Sequence, residues 1–188
     1  MAIEKTDNSY LRDKVQLRID HLPAGDVRVL DCYSGKGLVW AAVKKLSGRK
    51  ITTLPIDHRN DLDSFHLPGD NLSYLETLDL RKYNVIDLDA YGIPFDQLEC
   101  LVRRRFKGVV YATAIQSLMG TMPISLLEAV GFTREQIDKC PTVFGKRGWE
   151  YLLQYLANVG VTKIFHRSHA RKHYMAFVLN GAAPAAKR

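Results

Sequence analysis

The chain alternates short apolar runs, rich in β-branched residues, with segments of helical periodicity. The runs with strand character are Val27 to Tyr33, Ile51 to Asp57, Phe65 to Asn71, Asn84 to Tyr91 and Gly108 to Ile115. Helices are predicted before and between these runs, at 7–21, 38–48, 71–80 and 95–106. Alternation of this kind favours a parallel sheet with right-handed crossovers and helices on both faces.

The pattern changes after the fifth strand. Residues 117–148 contain two short helical patterns among Gly, Pro and Thr. They are too long and irregular for a tight connection, so we expect them to form a lid over a substrate. A helix predicted at 149–160 precedes two strands, at 161–168 and 173–180, which are separated only by the sequence HARK. That spacing is typical of a hairpin, so the parallel sheet is expected to end in an antiparallel pair.

Composition narrows the class of protein. The chain has 188 residues, 46% of them apolar, and no linker-like segment, which predicts one domain over 1–180 and a disordered tail at 181–188. The three cysteines lie far apart, so we expect free thiols in a reducing, cytoplasmic environment. No apolar run approaches the roughly 18 residues of a membrane span, and we expect no membrane partner. The net charge of +7 suits a nucleic-acid partner, and equally a merely basic surface.

Carboxylates interrupt the fourth strand pattern, VIDLDAYGIP (Val85 to Pro94). A buried parallel strand normally reads as an unbroken apolar run, yet Asp87 and Asp89 are set into this one and Tyr91 follows. Ligands of open α/β sheets bind beyond the carboxyl ends of the strands. The strand end is therefore a candidate reaction site.

Four motifs in series resemble those of the class I S-adenosylmethionine-dependent methyltransferases: DCYSGKG, PIDHRN, LPGDN and VIDLDAYGIP. The resemblance spans Val27 to Asn180 and implies a doubly wound, Rossmann-like α/β fold. Its sheet has seven strands, mostly parallel, with a C-terminal antiparallel hairpin and helices on both faces. Within the class, VIDLDAYGIP is most similar to the tRNA guanine-N2 dimethyltransferase group, which has Pro where this chain has Ala90.

The resemblance implies that S-adenosyl-L-methionine is the cofactor. The residues expected to bind it are Asp31, Tyr33, Ser34, Gly35, Gly37, Asp57, His58, Asp70, Asn71 and Asp87. A glycine turn after a strand also occurs in dinucleotide sites, although the third glycine of that pattern is absent here. Asp57, Asp70 and Asn71 are each alternatively explained as helix N-caps. Asp87 is equally well explained by a bond to a neighbouring loop.

The resemblance also implies transfer of a methyl group to an exocyclic amino group of a base in RNA or DNA. Asp89 is expected to accept hydrogen bonds from that amino group, Tyr91 to stack on the base, and Ala90 and Gly92 to make room for it. Phosphate contacts are expected from Arg103, Arg104, Arg167 and Arg171, although the first two suit a helix C-terminus equally well. The histidines of the hairpin have no Cys or carboxylate beside them, so no metal site is expected.

Three other functions are compatible with these residues. The same fold serves methyltransferases of small molecules and of proteins, and it also serves modules that bind the cofactor without turning over. Basic charge and an aromatic residue beside the carboxylate favour the nucleic-acid enzyme. Transfer of a labelled methyl group distinguishes an enzyme from a binding module.

Overall fold

The computed structural model describes residues 10–62, 65–115, 122–141 and 147–181. The strands are β1 (Val27–Asp31), β2 (Ile51–Asp57), β3 (Leu67–Pro68), β4 (Val85–Leu88), β5 (Lys107–Ile115), β6 (Ile164–His169) and β7 (Lys172–Asn180). The helices are α1 (Leu11–Asp20), α2 (Leu38–Ser47), α3 (Asn71–Thr77), α4 (Phe95–Arg103), α5 (Ile124–Ala129), α6 (Arg134–Lys139) and α7 (Gly148–Asn158). A 3₁₀ turn, Leu80–Lys82, precedes β4.

The described strands form one seven-stranded sheet in the order β3-β2-β1-β4-β5-β7-β6. β1 pairs in parallel with β2 on one side and with β4 on the other. β7 is antiparallel to both β5 and β6, which makes the last two strands the expected hairpin. The predicted fold class is confirmed. The chain reverses its direction of travel across the sheet between β1 and β4, and this reversal is the topological switch point.

Helices cover both faces of the sheet and bury separate clusters of apolar side chains. One cluster joins α1 and α2 to the sheet through residues such as Val15, Trp40 and Val85. The larger cluster lies on the other face, where Leu101 of α4 and Leu152 of α7 pack with sheet residues such as Leu88. Burial on both faces explains the near-continuous apolar character of β1, β4 and β5.

Four strands are shorter than the sequence pattern predicts: β1 stops at Asp31 instead of Tyr33, β6 begins at Ile164 instead of residue 161, and β4 and β3 are shortened most. β4 ends at Leu88, because the N–H of Ala90 turns back to the Leu88 carbonyl at 2.8 Å. Asp89 and Tyr91 therefore lie beyond the strand rather than in it. β3 is reduced to two residues, and its Pro68 has no N–H with which to extend the ladder.

The segment predicted as a lid is described in part. Residues 122–141 carry α5 and α6, and Leu126 and Leu127 of α5 are fully buried in the larger cluster. Residues 116–121 and 142–146, and the tail from 182 onward, lie outside the described residues, so the lid and the tail stay predictions. Within the described ranges, no helix has both the length and the apolar character needed to cross a membrane.

Candidate active site

A cavity of about 450 Å³ opens at the carboxyl edge of the sheet, where β1, β2 and β4 end. Its position is the switch point, at which open α/β sheets bind their ligands. Ten of the residues predicted from the sequence line it: Asp31, Tyr33, Ser34, Gly35, Asp57, His58, Asp87, Asp89, Ala90 and Tyr91. Eight others do not: Gly37, Asp70, Asn71, Gly92, Arg103, Arg104, Arg167 and Arg171.

The glycine turn between β1 and α2 forms one wall of the cavity. Gly35 and Gly37 have positive φ angles, of 50° and 68°, which residues with a Cβ adopt only with strain. The N–H of Gly37 donates to the Ser34 carbonyl at 2.8 Å, and α2 begins at the next residue. The turn therefore brings a helix N-terminus directly behind the cavity wall.

Ser34 carries an unsatisfied polar atom in this wall. Its hydroxyl oxygen is buried and has no hydrogen-bond partner among the described residues. A buried hydroxyl without a partner is costly, and native proteins seldom keep one without a reason. Since Ser34 lines the cavity, a bound ligand can supply the missing partner.

Asp57 ends β2 and braces the glycine turn. One carboxylate oxygen accepts from the N–H of Gly35 at 2.8 Å, and the other accepts from the N–H of Arg59 at 3.0 Å. The bond from Arg59 closes a local turn at residues 57–59. It does not cap a helix, which was the alternative role considered for Asp57. Each oxygen keeps further acceptor capacity toward the cavity that Asp57 lines.

Asp70 and Asn71 have structural partners. Asp70 is the N-cap of α3, and its carboxylate accepts from both the N–H and the hydroxyl of Ser73 at 2.9 Å. The Asn71 side chain donates to the Cys32 carbonyl at 3.1 Å and accepts from Gln97 at 2.9 Å. Asp70 therefore has the role of its alternative explanation, a helix N-cap. Asn71 instead links the start of α3 to the residue that follows β1.

Asp87 lies at the bottom of the site in a buried ion pair. Arg18 of α1 donates to both of its carboxylate oxygens at 2.7 Å, and the indole N–H of Trp40 donates to Oδ2 at 2.7 Å. Burial raises the pKa of Asp87, and the Arg18 guanidinium opposes this change. The partner of Asp87 is thus the first helix rather than a neighbouring loop.

Asp89 is also paired with α1. The ammonium group of Lys14 lies 2.9 Å from Oδ1 and 2.7 Å from Oδ2, and the Thr113 hydroxyl of β5 donates to Oδ1 at 2.5 Å. Burial alone would raise the pKa of Asp89, but the charges of Arg18 and Lys14 outweigh it, so the pKa is lowered. Asp89 is therefore a carboxylate in the neutral pH range.

Asp31 is the third carboxylate of the cluster. It is 5% exposed at the end of β1, beside Asp87 in the parallel ladder. Burial and then the negative charge of Asp87 raise the pKa of Asp31 well above its usual range. A cationic ligand group in the cavity would favour the ionised form of this carboxyl.

Tyr91 stands at the mouth of the cavity. Its ring is 64% exposed although it lines the opening, whereas Ala90 is buried beneath it. An exposed aromatic ring at the edge of a cavity offers a face on which a planar ligand can stack. Gly92 supports the loop, because its carbonyl accepts from the N–H of Ile115 at 2.8 Å.

None of the four arginines predicted to contact phosphates lines the cavity. Arg103 pairs with Glu76 of α3 at 2.8 Å, and Arg104 donates to the Leu75 and Leu78 carbonyls at 2.6 and 2.8 Å. Arg104 therefore satisfies a helix C-terminus, that of α3, whereas Arg103 forms an ion pair on the surface; both lie at the edge of the sheet opposite the cavity. Arg167 pairs with Asp13 and Asp20 of α1, at 2.9 and 3.3 Å. Arg171 is exposed in the hairpin turn, next to the cavity residue Lys172.

Several cavity residues were missed by sequence reasoning. The cations are Lys14, Lys36, Arg59 and Lys172, and the others include Trp40, Thr113 and Tyr174. Thr113 and Tyr174 sit in strands that the pattern did predict, near the same edge of the sheet. Lys36 was visible in the glycine turn as the residue between its two glycines. Lys14 gave no local signal, because its partner is 75 residues away in the sequence.

Comparison with known proteins gives a structural likeness without a sequence match. No family model matches the chain, and no curated protein matches its sequence. A protein from Clostridium thermocellum proposed to be an rRNA methylase superposes with a TM-score of 0.52 at 10% identity, covering 95% of this chain and 97% of that one. A SAM-dependent methyltransferase from Archaeoglobus fulgidus gives a TM-score of 0.51 at 13% identity, covering 91% and 92%.

A third structure is longer than this chain. A protein from Nostoc punctiforme proposed to be an O-methyltransferase has a TM-score of 0.53 at 12% identity, and 90% of this chain covers 56% of it. The fold is that of the Rossmann-like methyltransferases. The expected fold of class I is confirmed, and none of these comparisons supports the narrower resemblance to the guanine-N2 group.

Proposed function

We propose that the protein is an S-adenosylmethionine-dependent methyltransferase that methylates an exocyclic amino group of a base in RNA or DNA. The observation that carries this function is the cavity at the switch point, which brings the glycine turn, Asp57 and Asp89 into one space. The likeness to solved methyltransferase structures supports the cofactor class, since one of them is described as SAM-dependent.

The cavity residues fit the cofactor. A volume of about 450 Å³ is within the range of pockets that enclose a ligand of this size. Asp57 has acceptor capacity for ribose hydroxyls, and the unpaired Ser34 hydroxyl is available to a polar group of the ligand. Asp31, whose ionised form is penalised by burial, would gain from the positive charge of the methionine moiety.

The acceptor side of the cavity suits an amino nitrogen. Bound S-adenosylmethionine supplies a methyl group whose bond to sulfur breaks with both electrons remaining on sulfur. The acceptor nitrogen uses its lone pair for the new N–C bond and must lose one N–H proton. A carboxylate such as Asp89, ionised and facing the cavity, accepts a hydrogen bond from that N–H and lets the proton pass to water at the open mouth.

The mouth of the cavity favours nucleic acid as the substrate. Lys36, Lys172 and Arg59 line the cavity, as does the exposed ring of Tyr91, and Arg59 is also paired with Asp61 at 2.8 Å. Cations that contact phosphates beside an aromatic face for the base are the recurring pattern of single-strand recognition. We refer to these three cations and Tyr91 as the cavity rim.

A two-step experiment tests the function. Isothermal calorimetry measures S-adenosylmethionine binding to the purified protein. Tritiated cofactor is then incubated with total RNA, genomic DNA, cell protein and a small-molecule extract in parallel, followed by nucleoside analysis of any labelled nucleic acid. Label in an N-methylated base supports the proposal. Label only in protein or small molecules would replace the substrate class, and binding without any transfer would leave a cofactor-binding module.

A further inference from the structure

Lys14 of α1 reaches into the cavity from outside the motifs that carry the family resemblance. The residue is 8% exposed, and its ammonium group is bound to both oxygens of Asp89. The same group lies 5.2 Å from the centre of the Tyr174 ring, which holds it from below by a cation–π contact. A buried lysine fixed this closely occupies one position rather than sampling many.

The two carboxylate oxygens of Asp89 accept different numbers of hydrogen bonds. Each carboxylate oxygen has two lone pairs directed in the carboxylate plane. Oδ1 accepts from Lys14 at 2.9 Å and from Thr113 at 2.5 Å, so both are used. Among the residues that the structure describes, Oδ2 accepts from Lys14 alone, at 2.7 Å, and keeps one lone pair. The carboxylate thus offers a single directed acceptor.

We propose that Lys14 is a positioning residue for methyl transfer: with Thr113 it fixes the Asp89 carboxylate so that Oδ2 alone receives the N–H of the acceptor group. This inference rests on the proposed function. It adds Lys14 as a positioning residue and names Oδ2 of Asp89 as the accepting atom. Alignment of the acceptor nitrogen then depends on α1, a helix that precedes the first strand of the sheet.

The charges around Asp89 explain why a cation is needed there. Asp87 and Asp31 are neighbouring carboxylates, and burial also disfavours the ionised form of Asp89. Arg18 faces the same cluster, but its guanidinium is engaged by both oxygens of Asp87. From β7, Tyr174 adds a neutral hydroxyl whose own pKa is raised to about 12. Within the described ranges, Lys14 is consequently the cation in direct contact with Asp89.

The first test requires no activity. Carbon-detected NMR follows the Asp89 carboxyl carbon through a pH titration of wild type and Lys14→Met, with Asp89→Asn used to assign the signal. We expect the midpoint for Asp89 to move to higher pH in Lys14→Met and to stay in place in Lys50→Met, which removes an exposed lysine from an ion pair with Asp26. An unchanged midpoint in a folded Lys14→Met variant would overturn the proposal.

The second test uses transfer kinetics with the labelled substrate. Lys14→Met should lower kcat by on the order of 100-fold, as a misplaced acceptor group does, and should shift the acid limb of the rate profile to higher pH. Lys14→Arg keeps a cation for both oxygens and should recover part of kcat. Thr113→Val should also lower kcat, but it should shift the acid limb of the pH–rate profile less than Lys14→Met does. A loss equal in Lys14→Arg and Lys14→Met, with no shift of the limb, would assign Lys14 a purely structural role. If wild type transfers no methyl group, the proposed function fails and positioning for transfer fails with it, while the titration still decides the contact with Asp89.

Discussion

Arg18 and Asp87 form a two-point ion pair in the interior of the protein, with both N···O distances at 2.7 Å and side chains that are 2% and 1% exposed. Burial alone would lower the pKa of Arg18, but its attraction to Asp87 outweighs this and raises it. The indole of Trp40 supplies a further donor to Asp87. The pair joins α1 to the end of β4 beneath the cavity.

Removing one partner of this pair should destabilise the protein strongly. Arg18→Met leaves Asp87 as a buried charge without its cation, which typically costs about 3–5 kcal/mol of unfolding free energy. Urea denaturation followed by circular dichroism measures the change. The double variant Arg18→Met/Asp87→Asn should recover much of the loss, because no charge remains buried. Equal destabilisation of the single and double variants would contradict an origin in the uncompensated charge.

Asp31 should make stability depend on pH in the opposite sense to a salt-bridged carboxylate. Its folded pKa is raised above the unfolded value of about 3.9, so the folded state holds the proton more tightly. The stability it contributes is complete below that value and is lost as pH rises toward the folded pKa. The Asp31→Asn variant has no carboxyl group at this position, so it does not lose this stability as pH rises.

We therefore expect the stability of Asp31→Asn relative to wild type, measured without cofactor, to increase as pH rises above about 4 toward the folded pKa of Asp31. Urea midpoints of both proteins across this range measure the margin. Asp26→Asn, at an exposed pair with Lys50, is the matched control and should show no such growth. A margin that stays constant would mean that Asp31 is ionised in the folded state at little cost, and one that shrinks would mean that its folded pKa is lowered; either result contradicts the expectation.

Much of the fold could be predicted because it rests on local periodicity. β2 has the predicted bounds, Ile51–Asp57, and α2 ends one residue before the expected Gly48. The end of β4 was predicted too far along, because the N–H of Ala90 turns back to the Leu88 carbonyl, a contact that the apolar pattern does not reveal. Local pattern is therefore a good guide to elements and a weaker one to the positions at which they stop.

The site was predictable only where its residues fall in motifs at strand ends. Ten residues of the cavity come from such motifs, whereas Lys14 and Arg18 meet their partners 75 and 69 residues away. Positive charge alone was misleading at Arg104, whose donors go to two backbone carbonyls. The purpose of a charged side chain depends on its tertiary partner, and a single sequence does not contain that information.

Asp57 should contribute directly to cofactor affinity. In Asp57→Ala, each lost hydrogen bond to a ribose hydroxyl is charge-assisted and worth roughly 1.5–3 kcal/mol, so S-adenosylmethionine binding should weaken about 10-fold or more. Because Asp57 also braces Gly35, Asp57→Asn serves as control, since its amide oxygen can keep one of the two backbone contacts. Calorimetry on folded variants makes the comparison. Unchanged affinity in Asp57→Ala would remove Asp57 from the cofactor site.

Replacing Asp89 by Ala and replacing Tyr91 by Ala should change different kinetic constants. Asp89 is proposed to accept an N–H bond that strengthens as the nitrogen reacts, so Asp89→Ala should lower the transfer rate far more than cofactor affinity. Tyr91 is proposed to stack on the base before reaction, so Tyr91→Ala should also raise the Michaelis constant for nucleic acid. Single-turnover kinetics at saturating cofactor separate the two. A normal transfer rate in Asp89→Ala would show that the reaction site lies elsewhere.

The cavity rim should carry the salt dependence of nucleic-acid binding. Each phosphate contact contributes about 0.7–0.9 to the slope of log affinity against log salt, because it releases bound counterions. Lys36→Met/Lys172→Met should therefore flatten the slope measured by fluorescence anisotropy with a labelled oligonucleotide. Lys50→Met/Lys107→Met removes the same charge from the opposite edge of the sheet, at the starts of β2 and β5, and should leave the slope unchanged. Equal flattening by both pairs would indicate attraction by net charge alone. If Arg103→Met flattened the salt slope instead, the phosphate contacts would lie at α4, where Arg103 is paired with Glu76.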